Sequence, residues 1–106
     1  MFARNVSVHL KSKMLSEFGH VFDTQVLPLL RKQKGFRDEI TIANANGLDV
    51  TAISLWDNKA DAEAYNTSAY PEVVKSLAHV IDGTPRVQTC EVVSSTFHKI
   101  DVPVHA

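Results

Sequence analysis

With a single cysteine, Cys90, the chain has no means of forming an internal disulfide, and no ligand-type residues flank it at metal-binding spacing. Cys90 reads instead as a small apolar strand residue. Five histidines, His9, His20, His79, His98 and His105, are scattered with no pair at i and i+4, so no metal site is expected. The four glycines are not spaced to cradle a phosphate, and no nucleophile elbow or triad motif is present. Charge of one sign is also missing. The formal net charge is -1 with no basic block, which argues against a nucleic-acid footprint and against a polybasic membrane surface. No apolar run approaches the roughly 20 residues that span a bilayer. Met1-Phe-Ala-Arg4 lacks the apolar core of a signal peptide, so a cytoplasmic location is expected.

The 106 residues amount to one domain, expected over residues 1–100 with a short tail over 101–106. A chain this short buries a core with little surplus, and self-association is a common way to add buried area. Phe2 to Leu10 alternates: Phe2, Arg4, Val6, Val8 and Leu10 point one way, and Ala3, Asn5, Ser7 and His9 the other. Met14 to about Lys32 carries an apolar stripe at helical spacing, built from Met14, Leu15, Phe18, Val21, Phe22, Val26, Leu29 and Leu30. Pro28 sits inside it and should bend the helix by clashing with the Thr24 carbonyl. Gly35 suits the position just past the helix end.

Phe36 to Ala43 reads as a second strand, Asn44-Ala-Asn-Gly47 as a hairpin turn, and about Leu48 to Trp56 as a third strand. Asp57 or Asn58 then caps a polar helix from Lys59 to about Asn66. Pro71 opens a further helix whose stripe is Val73, Val74, Leu77, Ala78 and Ile81. Asp82-Gly-Thr-Pro85 should stop it, and Arg86 to His98 reads as the last strand. The order β-α-β-β-α-β, with right-handed crossovers, gives a ferredoxin-like α+β layer. Helices cover only one face of such a sheet. Because neither face of the first strand looks fully wet, a homodimer with two antiparallel sheets packed face to face is expected.

Small residues mark where a pocket belongs. Ala3, Asn5, Ser7 and His9 on the first strand would meet Val50, Ala52, Ser54 and Trp56 on the third. If those faces coincide beneath the helices, the space must be filled by large helix residues or by a ligand. Asn5, His9, Ser54 and Trp56 would project into it, and Phe18, Phe22, Tyr65, Tyr70 and Leu77 would roof it. Two readings of Trp56 stand side by side, a core plug with its indole N–H on a neighbouring acceptor and a direct ligand contact. Asn5 likewise either bonds neighbouring backbone or water, or faces a ligand. His79 is either a surface histidine or a functional one.

These residues resemble the antibiotic biosynthesis monooxygenase family of dimeric α+β barrels. The likeness is carried by Ala3-Arg-Asn5, by Leu29-Leu30 before Gly35-Phe36, and by Ser54-Leu-Trp-Asp-Asn-Lys59 leading into Ala62–Tyr65. It runs from about Phe2 to His98. By that resemblance, the strand asparagine of the haem-degrading members falls at Asn5 and their catalytic tryptophan at Tyr65. Their haem-ligating histidine falls at Lys75 or Ser76, with His79 about one turn on. The tryptophan of the anthrone-oxidising members falls at Trp56, their asparagine at Ala52 and their tyrosine at Ala62. The resemblance implies a homodimer that binds a small apolar or aromatic molecule and oxidises it without a cofactor. Asn5, Trp56 and His79 are then the catalytic candidates. Asn5 would donate a hydrogen bond to a developing anion, Trp56 would stack on the substrate ring, and His9 or His79 would accept a proton. The alternatives are a non-catalytic binding module on the same fold and a haem-binding or haem-degrading protein.

Overall fold

Nine-residue β1 (Phe2–Leu10) forms the middle of the structure, and its alternation decides what the helices cover. A computed structural model describes residues 1–100; the expected tail, 101–106, lies outside the described residues. β1 pairs with β3 (Asp49–Trp56) on one side and with β4 (Ile81–Glu91) on the other, while β2 (Phe36–Ala43) pairs with β3. The sheet order is β2-β3-β1-β4 and every pairing is antiparallel. With its helices packed on one face, this is the expected ferredoxin-like α+β layer.

Directly opposed strand residues share a face, so the register assigns the faces. Phe2 lies opposite Trp56, Arg4 opposite Ser54, Val6 opposite Ala52 and Val8 opposite Val50. These residues face the helices, where Leu10, Val50 and Trp56 are among the most deeply buried side chains. Asn5 lies opposite Ile53 and Gln88 on the reverse face. The expected meeting of Asn5 and His9 with Trp56 does not occur, because β1 contributes its even-numbered residues to the helix side.

The first helical region is α1 (Leu15–Val21), a π turn (Phe22–Val26) and α2 (Leu27–Arg31). In the π turn the Leu27 N–H reaches back five residues to the Phe22 carbonyl. That wider ring sits immediately before Pro28, which has no N–H to give and cannot follow tight α geometry without a clash. The expected bend is thus a π turn. Gly35 adopts φ +79°, and a Cβ there would lie 2.1 Å from Oδ2 of Asp61, so glycine is required by backbone and space alike.

After β3, the Asn58 side chain accepts from the Asp61 N–H at 2.9 Å and caps α3 (Lys59–Ser68); α4 (Tyr70–Leu77) follows, with Pro71 in its first turn. β4 starts five residues earlier than expected. Asp82–Pro85, expected to stop the helix, lies inside the strand, and α4 already ends at Leu77. The register slips between Ser7 and His9, so that Gly83 (φ +84°), Thr84 and Pro85 bulge from an edge strand, where proline is tolerated.

The reverse face of the sheet is apolar in part. Ile40 and Ile42 are 55% and 52% exposed. The segment after β4 crosses from β4 toward β2, where the His98 ring meets the Asp38 carboxylate. It leaves a cleft lined by Ile40, Ile53, Leu55, Val92 and Phe97. Among the described residues no helix is long and apolar enough to cross a membrane, and no group of three or more His, Cys, Asp or Glu is placed to hold a metal ion.

Candidate functional site

Between the helix-side face of the sheet and the helices lies an apolar cavity of about 50 Å³. The strands supply Arg4, Val6 and Val8 from β1, Ala52 and Ser54 from β3, and Glu39 from β2. The helices supply Phe18, Phe22, Val26, Tyr65, Tyr70, Val73 and Leu77. The small residues at Ala52 and Ser54 leave the space, and the four helix aromatics fill much of it. A second cleft, about 410 Å³ and open to solvent, lies against the β2 edge; Phe18, Phe22 and Glu39 line both spaces and so form the partition between them. The two phenyl rings sit 5.5 Å apart and tilted.

Of the expected site residues, Phe18, Phe22, Ser54, Tyr65 and Tyr70 line this cavity. Trp56 stands directly behind it. Its side chain is fully buried, its indole N–H donates to Ser54 Oγ at 2.9 Å, and its ring stacks on Tyr65 at 5.0 Å. Three expected residues are elsewhere. Asn5 is on the reverse face of the sheet. His9, also on the reverse face, is exposed and bonded to Asp49 at 2.8 Å, which holds that carboxyl below its usual range. His79 is exposed beyond the end of α4, 3.6 Å from Glu17. Among the described residues no histidine lines the cavity, so the residues present offer haem no histidine ligand there.

Two ionisable residues absent from the expected set do line it. Arg4 is 2% exposed, yet no carboxylate among the described residues lies within salt-bridge distance of it. Its guanidinium donates to Asn66 Oδ1 at 2.6 Å and lies over the rings of Tyr70 (4.4 Å) and Tyr65 (5.1 Å). Burial lowers its pKa, against the raising influence of the two tyrosines. Glu39 is half-buried, and burial pushes its carboxyl above the usual range although Thr41 donates to it at 2.6 Å; Asp23 adds a smaller upward push. Both residues had a signal in the sequence: Arg4 interrupts the apolar stripe Phe2-Val6-Val8-Leu10, and Glu39 sits mid-strand beside Ile40.

The tyrosines stay protonated. Burial pushes Tyr65 up to about 12, with Arg4 pulling the other way. Tyr70 is raised for the same reason, against the pull of the Arg4 charge and of Arg4's hydrogen-bonding contact with the hydroxyl, whose own O–H is buried without an acceptor among the described residues. The cavity is therefore an apolar hollow whose walls, among the described residues, carry one buried cation, one hydroxyl with no acceptor and one desolvated carboxyl.

No family model matches the chain. No curated protein matches it either. Solved structures do. A protein from Bordetella bronchiseptica, named as a putative antibiotic biosynthesis monooxygenase, aligns with TM-score 0.75 at 14% identity over 88% of this chain and 97% of its own. SnoaB from Streptomyces nogalater, titled a cofactor-independent oxygenase, aligns with TM-score 0.74 at 11% identity over 90% and 95%. A protein of unknown function from Nitrosomonas europaea aligns with TM-score 0.75 at 14% identity over 90% and 91%. At such identities the likeness speaks for architecture: the chain has the α+β fold of structures named putative antibiotic biosynthesis monooxygenases.

Proposed function

We propose that the chain is a cofactor-independent monooxygenase acting on a small phenolic or quinol-type aromatic molecule held between sheet and helices. The observation that carries this reading is the apolar cavity whose ionisable lining groups, among the described residues, are Arg4, Glu39, Tyr65 and Tyr70. The fold shared with a cofactor-independent oxygenase supports it. At about 50 Å³ the cavity holds only a few heavy atoms. Swinging Phe18 and Phe22 aside joins it to the outer cleft and admits a ring.

The chemistry asks little of the protein. Glu39, made more basic by burial, takes the phenol proton. The phenolate passes one electron to dioxygen, and the resulting aryloxyl radical and superoxide join through a new ring C–O bond. The proton on Glu39 moves to the terminal oxygen. Loss of the ring C–H proton and cleavage of the O–O bond release water and leave a carbonyl. In sum, phenol and O2 give quinone and water, and the substrate supplies all four electrons. The site's contribution is to exclude water, hold the ring and stabilise the anion.

The test is oxygen uptake with a panel of phenols and quinols under ¹⁸O2. The expected result is one labelled oxygen in the product per O2 consumed, unaffected by chelators. Ligand-dependent thermal shifts with no uptake across the panel would instead establish a non-catalytic binding module.

A second copy of the chain completes the assembly in this reading, covering Ile40 and Ile42 by face-to-face sheet packing. Sedimentation equilibrium should give twice the 11.7 kDa chain mass. The double substitution Ile40→Asp, Ile42→Asp should shift the protein to monomer, and a wild-type monomer at all concentrations would overturn the assembly.

A further inference from the structure

We infer that Arg4 is an oxyanion anchor: once deprotonated, the ligand is held as a phenolate or enolate whose charged oxygen sits between the Arg4 guanidinium and the Tyr70 hydroxyl. The inference rests on the cavity reading above and adds the charge state and orientation of what is bound.

The argument starts from cost. Removing a guanidinium from water is expensive, and buried charges are ordinarily paired with an opposite charge. Arg4 is almost wholly buried, and the two glutamates that share a cavity or cleft with it are otherwise engaged. Glu63 shares an outer cleft with Arg4 but faces Lys59 at 3.7 Å. Glu39, two strands away on the same cross-strand row through Ser54, accepts from Thr41. Neutral Asn66 and two tyrosine faces solvate the cation only in part. A guanidinium has five N–H donors, and the one side-chain bond to Asn66 leaves most of them free.

The second observation is the Tyr70 hydroxyl. It is buried, Arg4 can only donate to it, and its own O–H finds no acceptor among the described residues, an expensive state for a polar group. Arg4 and Tyr70 line the same cavity and touch, guanidinium over ring at 4.4 Å. Two donors beside an otherwise apolar hole form a place for one negative oxygen attached to an apolar body. A phenolate or enolate has that form. A carboxylate brings a second charged oxygen that the valine and leucine walls leave unsolvated.

The test compares 4-nitrophenol, whose absorbance reports its ionisation, with its neutral methyl ether 4-nitroanisole and with benzoate. Wild-type protein is expected to bind 4-nitrophenolate, to lower the pH at which the bound phenol ionises, and to prefer it over benzoate. Arg4→Met should weaken nitrophenolate binding by about 10- to 100-fold, the usual scale for losing a hydrogen bond to a charged group. It should leave nitroanisole binding and the melting temperature unchanged or raised, since a matched apolar side chain replaces an unpaired buried charge. Arg4→Lys, which keeps charge but loses the planar fork, should fall between; it carries the test if Arg4→Met does not fold. Tyr70→Phe should weaken the anion and spare the ether.

Nitroanisole binding with no nitrophenolate binding would overturn the anchor and leave the cavity reading standing. If neither compound binds, both fall. Binding of nitrophenolate unaltered in Arg4→Met, a preference for benzoate, or a large stability loss in both Arg4 variants would each overturn the assignment.

Discussion

Replacing Trp56 with alanine is expected to cost about 3–5 kcal/mol of folding stability, the range for deleting a large buried aromatic. Its side chain has no exposed surface, stacks on Tyr65 at 5.0 Å, meets Phe36 edge-on at 5.6 Å, and donates to Ser54 at 2.9 Å. The substitution opens a void between β3 and α3 and leaves the buried Ser54 hydroxyl without its donor. Against a typical total of about 5–15 kcal/mol, that is a large share. Trp56→Phe should cost less, because a ring still fills part of the space. Urea unfolding followed by far-UV circular dichroism measures both, since the alanine variant contains no tryptophan to follow by fluorescence. A loss below about 1 kcal/mol would show that Trp56 is not the plug its packing implies. Its full burial behind Ser54 and Tyr65 is what the plug reading expects.

Most of the architecture was legible in the chain. Alternation in Phe2–Leu10, the stripe through Phe18, Phe22 and Val26, the Asn58 cap and the turn ending at Gly47 each carry their own periodicity or backbone requirement. Which face of β1 lies beneath the helices was not legible, because that depends on pairing register, and a one-residue slip exchanges every side chain between faces. Phe2 opposite Trp56 settles it and sends Asn5 and His9 to the reverse side. Small side chains at Ala3, Asn5 and Ser7 look like a cavity floor in isolation; on the reverse face they lie against apolar neighbours such as Ile53. A better guide was the misfit. A charged residue on an apolar stripe must be satisfied somewhere, and Arg4 on the Phe2-Val6-Val8 face marks the site more directly than the asparagine beside it. β4 was misplaced for a related reason: Gly83-Thr-Pro85 carries turn chemistry, and only the pairing with β1 shows that chemistry used for a bulge.

Glu39→Gln is expected to lower kcat for phenol oxidation by about 10²- to 10⁴-fold, the usual contribution of a positioned base. The reasoning is in its neighbours. From β2 itself, Thr41 donates to the carboxylate and favours ionisation; from the π turn, Asp23 opposes it; burial opposes it most. Also on the cavity wall stand Arg4 from β1, Tyr65 from α3 and Tyr70 from α4. The net result is a pKa raised above the ordinary carboxylate value. A base must be ionised to act, so wild-type kcat/KM should climb as pH rises through that raised pKa, and the variant should lose this acidic limb. Stability moves the other way. With the folded pKa above the unfolded one, the native state holds its proton longer, so the stability contributed by Glu39 is fully present below the unfolded pKa and is lost as pH rises through the folded pKa. Glutamine stays neutral throughout. The variant should therefore be at least as stable as wild type near neutrality, with the advantage vanishing in acid. Thermal melts across pH, run beside the rate profiles, separate these outcomes. A variant that is inactive and also less stable at neutral pH would make Glu39 a packing residue, and one that keeps both its rate and its acidic limb would move the base to another group on the cavity wall.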